Sequence, residues 1–321
     1  MHRRKALILA GVAAAVGSSA LLAGCGGSDG PVVTPPPNIV ELAKATPSLS
    51  ILVEAVVAAD LATTLSGPGP FTVFAPNNDA FVSLLAELGV TKDALLKDKA
   101  LLTAVLTYHV LGAKVEKAAI PLGRAITPLQ KDVFKIEAPS GVLTITDGRN
   151  RASKIIATDV QASNGVVHII DKVILPPNKN IVQTAQGIAT FSLLVEAVTT
   201  AGLVPTLTGP GPFTVFAPTD AAFAAALTEL GTTKTALFGN TKLLAKILTH
   251  HVVSGRVLKA DIPATPITSV QGETFTITTS PTVVITDQQG RKTNITGTDV
   301  FTSNGVIHVI DRVILTKTLV A

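Results

Sequence analysis

The chain has 321 residues, with 47% apolar, 15% charged and only 4% aromatic side chains. That is enough apolar material for two compact domains. Trp is absent and Tyr occurs once, which argues against an aromatic platform for stacking bases or sugars. The formal charge of +4 falls close to neutral once the three basic residues at the extreme N-terminus are set aside, so the electrostatic footprint of a nucleic-acid binder is missing.

In chain order, Met1–Lys5 is basic and Ala6–Leu22 is apolar, small and uncharged, the plan of a secretory signal. It ends in Leu22-Ala23-Gly24-Cys25, and Cys25 is the single cysteine of the chain. A lone cysteine in an exported protein cannot form an internal disulfide. The tetrapeptide resembles a bacterial lipoprotein signal, which implies cleavage after residue 24 and diacylation of Cys25. An uncleaved membrane helix or a chance cysteine are the alternatives. Residues 25–37, Gly-rich and then Pro-rich, read as a spacer. Gly26 in place of Asp favours the outer membrane if the host is Gram-negative.

Thr46-Pro47 is expected to start a helix, with the hydroxyl as cap and Leu49, Leu52, Val53 and Val56 on one face. A Gly-Pro-Gly-Pro turn (67–70) feeds the strand Phe71-Thr72-Val73-Phe74-Ala75-Pro76. Asn77 then caps a helix carrying Phe81, Leu84, Leu85 and Leu88. A further helix over 98–109 places Leu102, Val105, Leu106 and His109 on its core-facing side. Alternating segments such as Val142–Thr146 and Asn164–Leu175 read as strands in hairpins.

From the first helix face onward this order of segments occurs twice. Phe71–Pro76 recurs unaltered as Phe213–Pro218, and 71–90 matches 213–232 at 12 of 20 positions. Asn164–Leu175 matches Asn304–Leu315 at 9 of 12. Two copies of one fold are expected. The Phe-Thr-Val-Phe-Ala-Pro block, the Tyr108-His109 pair (His250-His251 in the second copy, where the Tyr is lost) and Asn164-Gly165-Val166-Val167-His168-Ile169-Ile170-Asp171, in that order in each copy, resemble the fasciclin (FAS1) domain. The expected fold is therefore α+β: two tandem fasciclin-type domains over 38–176 and 177–321, each a wedge of short β-strands packed with several α-helices.

Asp159, Ser163, His168 and Asp171, repeated as Asp299, Ser303, His308 and Asp311, contain the residue types of a hydrolytic triad. Alternation along the strand sends His168 and Asp171 to opposite faces, and no Gly-x-Ser-x-Gly elbow exposes a nucleophile. His168, Asp171, His308 and Asp311 are accordingly expected as a structural polar core. An enzyme would require His168 to meet a Ser or Asp from another strand in an open pocket. The five histidines left after export, without cysteine or a His-Glu-x-x-His helix, give no metal site, and no cofactor motif is present. Asn294-Ile295-Thr296 is expected in an ordinary turn.

The resemblance implies adhesion through domain surfaces, and in animal members it points to the Tyr-His region and to an Asp before the Asn-Gly block. The matching candidate contact residues here are Tyr108, His109 and Asp159, with His250, His251 and Asp299 in the second copy. The expected protein is a non-catalytic, exported, lipid-anchored envelope protein. Its expected partners are the membrane, through the N-terminal lipid, and a surface protein or matrix component, with no nucleic acid. The rival is a carrier of a small hydrophobic ligand, a lipid or a pigment.

Overall fold

A computed structural model of the chain describes residues 35–317. Cys25, the signal over 1–24 and all but the last residues of the 25–37 spacer lie outside the described residues. The first copy runs α1 (Ile39–Lys44), α2 (Ser50–Ala58), α3 (Ala62–Ser66), β1 (Phe71–Pro76), α4 (Asn78–Leu88), α5 (Lys92–Lys97), α6 (Lys99–Tyr108) and β2 (Val110–Leu111). It continues through β3 (Ala125–Ile126), β4 (Phe134–Glu137), β5 (Thr144–Thr146), β6 (Ala152–Ala162) and β7 (Gly165–Ile170).

The second copy repeats the order. Its helices are α7 (Ile181–Gln186), α8 (Ser192–Thr200), α9 (Val204–Thr208), α10 (Asp220–Glu229), α11 (Lys234–Gly239) and α12 (Thr241–His250). Its strands are β8 (Phe213–Pro218), β9 (Val252–Ser254), β10 (Ile267–Thr268), β11 (Thr274–Thr278), β12 (Val284–Thr286), β13 (Lys292–Thr302) and β14 (Gly305–Ile310).

Each copy forms one seven-stranded sheet, in the order β2-β1-β7-β6-β5-β4-β3 and its counterpart β9-β8-β14-β13-β12-β11-β10. The Phe-Thr-Val-Phe strand lies parallel to the Asn-Gly strand, with Phe71 opposite Gly165 and Phe74 opposite His168. Both are interior strands, and both of their faces are covered. Alternation divides the side chains between two half-cores. Val73, Ala75 and Val167 meet the helical side, with Leu52, Phe81 and Leu102. Phe74, Ile170 and Ile174 meet the other, with Tyr108, Phe134 and Ile136. There Phe74 and Tyr108 each pack edge-on against Phe134, at 5.4 and 5.6 Å between centroids.

Local chemistry explains most helix boundaries. Asn77 and Thr219 cap α4 and α10 by accepting the N–H of Ala80 and Ala222. Asp98 and Asn240 do the same for α6 and α12. Gly89 ends α4 in the left-handed conformation, at φ 65°. Thr46 departs from expectation: its hydroxyl donates back to the Leu42 carbonyl. The first turn of α2 is capped from a distance instead, by Asn78 accepting the Ile51 N–H, and α8 is served likewise by Asp220 on Leu193. Asn294 is also corrected. It sits within β13 rather than in a turn, and its amide donates to Asp311.

The Asn-Gly turn ties the two layers together. The Asn164 amide donates to the carbonyls of Leu65 and Gly67 at 2.8 and 2.9 Å, while its oxygen accepts the Ile39 N–H at 3.0 Å. Asn304 repeats all three bonds on Leu207, Gly209 and Ile181. The approach is so close that a Cβ on Gly69 would lie 2.0 Å from the Asn164 carbonyl oxygen, so only glycine fits there. One side chain thus fastens α1, the end of α3 and the sheet.

Candidate functional site

The residues singled out in the sequence fall into two groups, the polar centre of each copy and the junction between copies. His168 is fully buried on the interior strand β7. Its Nε2 lies 2.9 Å from the Val115 carbonyl and its Nδ1 3.3 Å from the Asp159 backbone N–H. A carbonyl only accepts and an N–H only donates, so the ring is fixed as the Nε2–H tautomer. His308 repeats the pair with Val257 and Asp299. Burial lowers the pKa of His308 below the usual imidazole value, offset in part by the Val257 bond.

His109 closes α6 and is also buried. Its Nδ1 lies 2.7 Å from the Val105 carbonyl, one of the acceptors left open at a helix end. Its Nε2 accepts the Ile174 N–H at 3.1 Å, which fixes the opposite tautomer. His251 does the same on Ile247 and Ile314. Loss of hydration lowers His109 to about 4 and His251 to about 3. The helix end is therefore served by a neutral donor and not by a cation.

Tyr108 is fully buried, and its hydroxyl donates to the Val133 carbonyl at 2.7 Å. The replacement in the second copy is less complete. His250 donates from Nδ1 to Ser269 Oγ, whose own proton goes to the Glu273 carbonyl. The His250 Nε2 is buried without a hydrogen-bond partner among the described residues.

The expected contact surface is thus corrected. Tyr108, His109, His250, His251 and Asp299 all lie inside the fold, because the interior strands and the helix ends draw them there. Asp159 alone of the six is half-buried. It sits in a bulge of β6 at φ 60°, and Asp299 matches it at φ 61°. Each aspartate accepts a backbone N–H at 2.8 Å, from Lys117 and Lys259 respectively. A second correction concerns Asp171 and Asp311. Asp171 is half-buried and Asp311 exposed, just beyond the ends of β7 and β14, where they accept the N–H of Lys154 and Asn294. They brace the sheet margin rather than its core.

Sequence reasoning missed two enclosed carboxylates, Asp147 and Asp287. Asp147 is fully buried; one oxygen accepts the N–H groups of Arg149 and Arg151, and the other faces the Arg151 guanidinium and the Leu175 N–H. Arg151 reaches on to Glu87 at 2.6 Å. Asp287, Arg291 and Glu229 repeat the chain. The readable signal was Asp-x-x-x-Arg in both copies, together with the glutamate that recurs in the matched 20-residue block.

At the junction, Lys135 of β4 reaches Asp299 at 2.8 Å with both side chains almost fully buried, and reaches Glu137 at 3.2 Å. Asn150 makes two reciprocal bonds with the backbone of Phe301, at 2.6 and 3.1 Å. Val133 packs with Leu258, Phe301 and Val306 of the second copy, and Arg124 pairs with Asp261. Among the described residues no three His, Cys, Asp or Glu side chains gather as a metal shell, and no helix is long and apolar enough to cross a membrane.

This doubled architecture is matched by known proteins. The fasciclin domain family matches residues 47–176 and 189–316, and the chain belongs to that family. It is 30% identical over 289 residues to transforming growth factor-beta-induced protein ig-h3 of Sus scrofa, covering 89% of this chain and 40% of that protein. It is 44% identical over 145 residues to protein sll1483 of Synechocystis sp., covering 44% of this chain and 74% of that protein. The chain thus spans about two fifths of the length of ig-h3. Among solved structures, the FAS1 domain pair of the insect cell adhesion molecule fasciclin I aligns with a TM-score of 0.43 at 19% identity, over 85% of this chain and 99% of that one.

Proposed function

We propose that the chain is a non-catalytic, lipid-anchored cell-envelope protein whose two fasciclin domains serve adhesion or interaction with a surface protein or matrix component. One observation carries this reading: in both copies the two matched histidines face inward. Both nitrogens of His109, His168, His251 and His308 are taken up by backbone groups. A general base must reach the proton it removes, and these imidazoles reach only their own scaffold. The outer faces are left for recognition, and the fastened junction gives two such faces a defined spacing.

The anchor is proposed from the Leu22-Ala23-Gly24-Cys25 run, with the outer membrane favoured in a Gram-negative host. Beads coated with the full chain are expected to gather surface or matrix proteins from an envelope extract, and His168→Gln is expected to lower the melting temperature while leaving that retention intact below it. Retention lost at an unchanged melting temperature would instead make His168 a contact residue. Cys25→Ser is expected to abolish acyl labelling and release the chain from membranes; a band that still takes up label contradicts the anchor.

A further inference from the structure

The Asp-x-x-x-Arg hairpins of the two copies differ in the middle, where Arg149 of the first stands opposite Gln289 of the second. Asp147 and Glu87 are both engaged by Arg151. Arg149 is left without an ion pair of its own among the described residues, although Asp147 and Glu87 lie near enough to act on its charge. Its Nε donates to the Pro176 carbonyl at 3.3 Å, and its two terminal nitrogens have no partner among the described residues. Gln289, by contrast, spends its side-chain amide on the Thr316 carbonyl at 2.9 Å. The Arg149 head is half-buried, and loss of hydration together with neighbouring Arg151 lowers its pKa.

Arg149 walls two hollows of opposite character. One is a cavity of about 90 Å³ under α4, α5 and α6, lined by hydrocarbon from Phe81, Leu84, Leu95, Leu101 and Leu102. The other is a polar cleft of about 390 Å³ beside the domain junction, bordered by Glu87, Asn150, Arg151 and Lys179. The cavity holds several times the volume that one water needs, and apart from Arg149 its lining is hydrocarbon that offers water no hydrogen bond. A guanidinium with unused donors thus stands where an oily chamber meets a wet cleft.

We propose that this is a binding site for an amphiphilic monoanion, a short straight-chain carboxylate with its tail in the chamber and its head on Arg149. The planar fork of arginine matches a carboxylate and binds it through paired N–H donors. A compact polar anion leaves the chamber unfilled, and a neutral hydrocarbon leaves the guanidinium unpaired. The proposal is independent of the adhesive reading and stands or falls without it.

Titration of the full chain with hexanoate, followed by NMR, tests this. The Arg149 Nε–H and the methyl groups of Leu101 and Leu102 are expected to shift together. Arg149→Gln, which installs the residue of the second copy, should weaken hexanoate by roughly tenfold or more, the loss of one charge-assisted pair. Its melting temperature should stay within about 2 °C of the parent, since no protein partner of the terminal nitrogens is lost. Leu101→Trp, which fills the chamber from its half-exposed rim, should weaken hexanoate while leaving the Arg149 resonance in place. Hexanoate binding unchanged by Arg149→Gln, inorganic phosphate competing as well as hexanoate does, or no shift in the parent chain would each overturn the site.

Discussion

Lys135 and Asp299 offer the sharpest perturbation, because they join the two copies through charges that water barely reaches. Replacing Lys135 with Met keeps the buried stem and removes the ammonium. Asp299 is then left almost fully buried, with the Lys259 N–H as its remaining side-chain donor. Removing one member of a buried pair costs about 3–5 kcal/mol, and the retained N–H places the expected loss near the low end, about 3 kcal/mol. The molecule supplies its own control. Asp159 occupies the same bulge with the same backbone bonds, is half-buried and has no ion pair among the described residues. Asp159→Asn should therefore cost less than about 1 kcal/mol. Urea unfolding of Lys135→Met, Asp299→Asn and the double variant measures the coupling, expected at about 2 kcal/mol or more. A cycle that sums without coupling, or a Lys135→Met cost below about 1 kcal/mol, would refute the view that this pair clamps the junction.

Acid should destabilise the fold through its histidines. Their unfolded pKa is near 6.5, while His109 and His251 are held at about 4 and about 3. Below pH 6.5 the unfolded state binds more protons, so stability falls as pH drops from there towards the folded values. At pH 5 each histidine accounts for a loss of about 2 kcal/mol. Urea midpoints at pH 7 and pH 5 check this, and the drop should shrink in the His109→Gln/His251→Gln variant; an undiminished drop contradicts the assignment. Asn164→Ala removes three bonds to part-buried backbone groups and should cost about 2–4 kcal/mol, with a similar loss for Asn304→Ala. Thermal unfolding reads it, and an unchanged melting temperature would show that the turn does not fasten the layers.

Much of this architecture could be read from residue patterns. The spacing of Leu102, Val105, Leu106 and His109 defines a helix face, and the caps at Asn77 and Thr219 follow from side-chain chemistry one turn away. The alternation Val166-Val167-His168 separates the histidine from Asp171 and argues against a triad. These are local rules, and they held because the interactions behind them are local. Thr46 misled because its hydroxyl had a nearer carbonyl to serve, and Asn78, 27 positions from Ile51, took over the cap. Nothing nearby in sequence announces Lys135 against Asp299, 164 positions apart, or Asn150 on the backbone of Phe301. The positive φ at Asp159 was also hidden, since bulge geometry is set by the partner strand. Tyr108, a contact candidate only through the family resemblance, is buried for a related reason: a motif marks a position, and the burial of that position is decided by elements far along the chain.

The claim on which the account rests is that the imidazoles of both copies are parts of the scaffold and not reagents. Long-range nitrogen–proton NMR of the ring nitrogens at neutral pH tests it most directly. The account predicts Nδ1–H tautomers for His109 and His251 and Nε2–H tautomers for His168 and His308, each a single slowly exchanging species. A mixture of tautomers in rapid exchange, or His109 or His251 titrating as a free imidazole does near 6.5, would contradict it and return these residues to solvent and to chemistry.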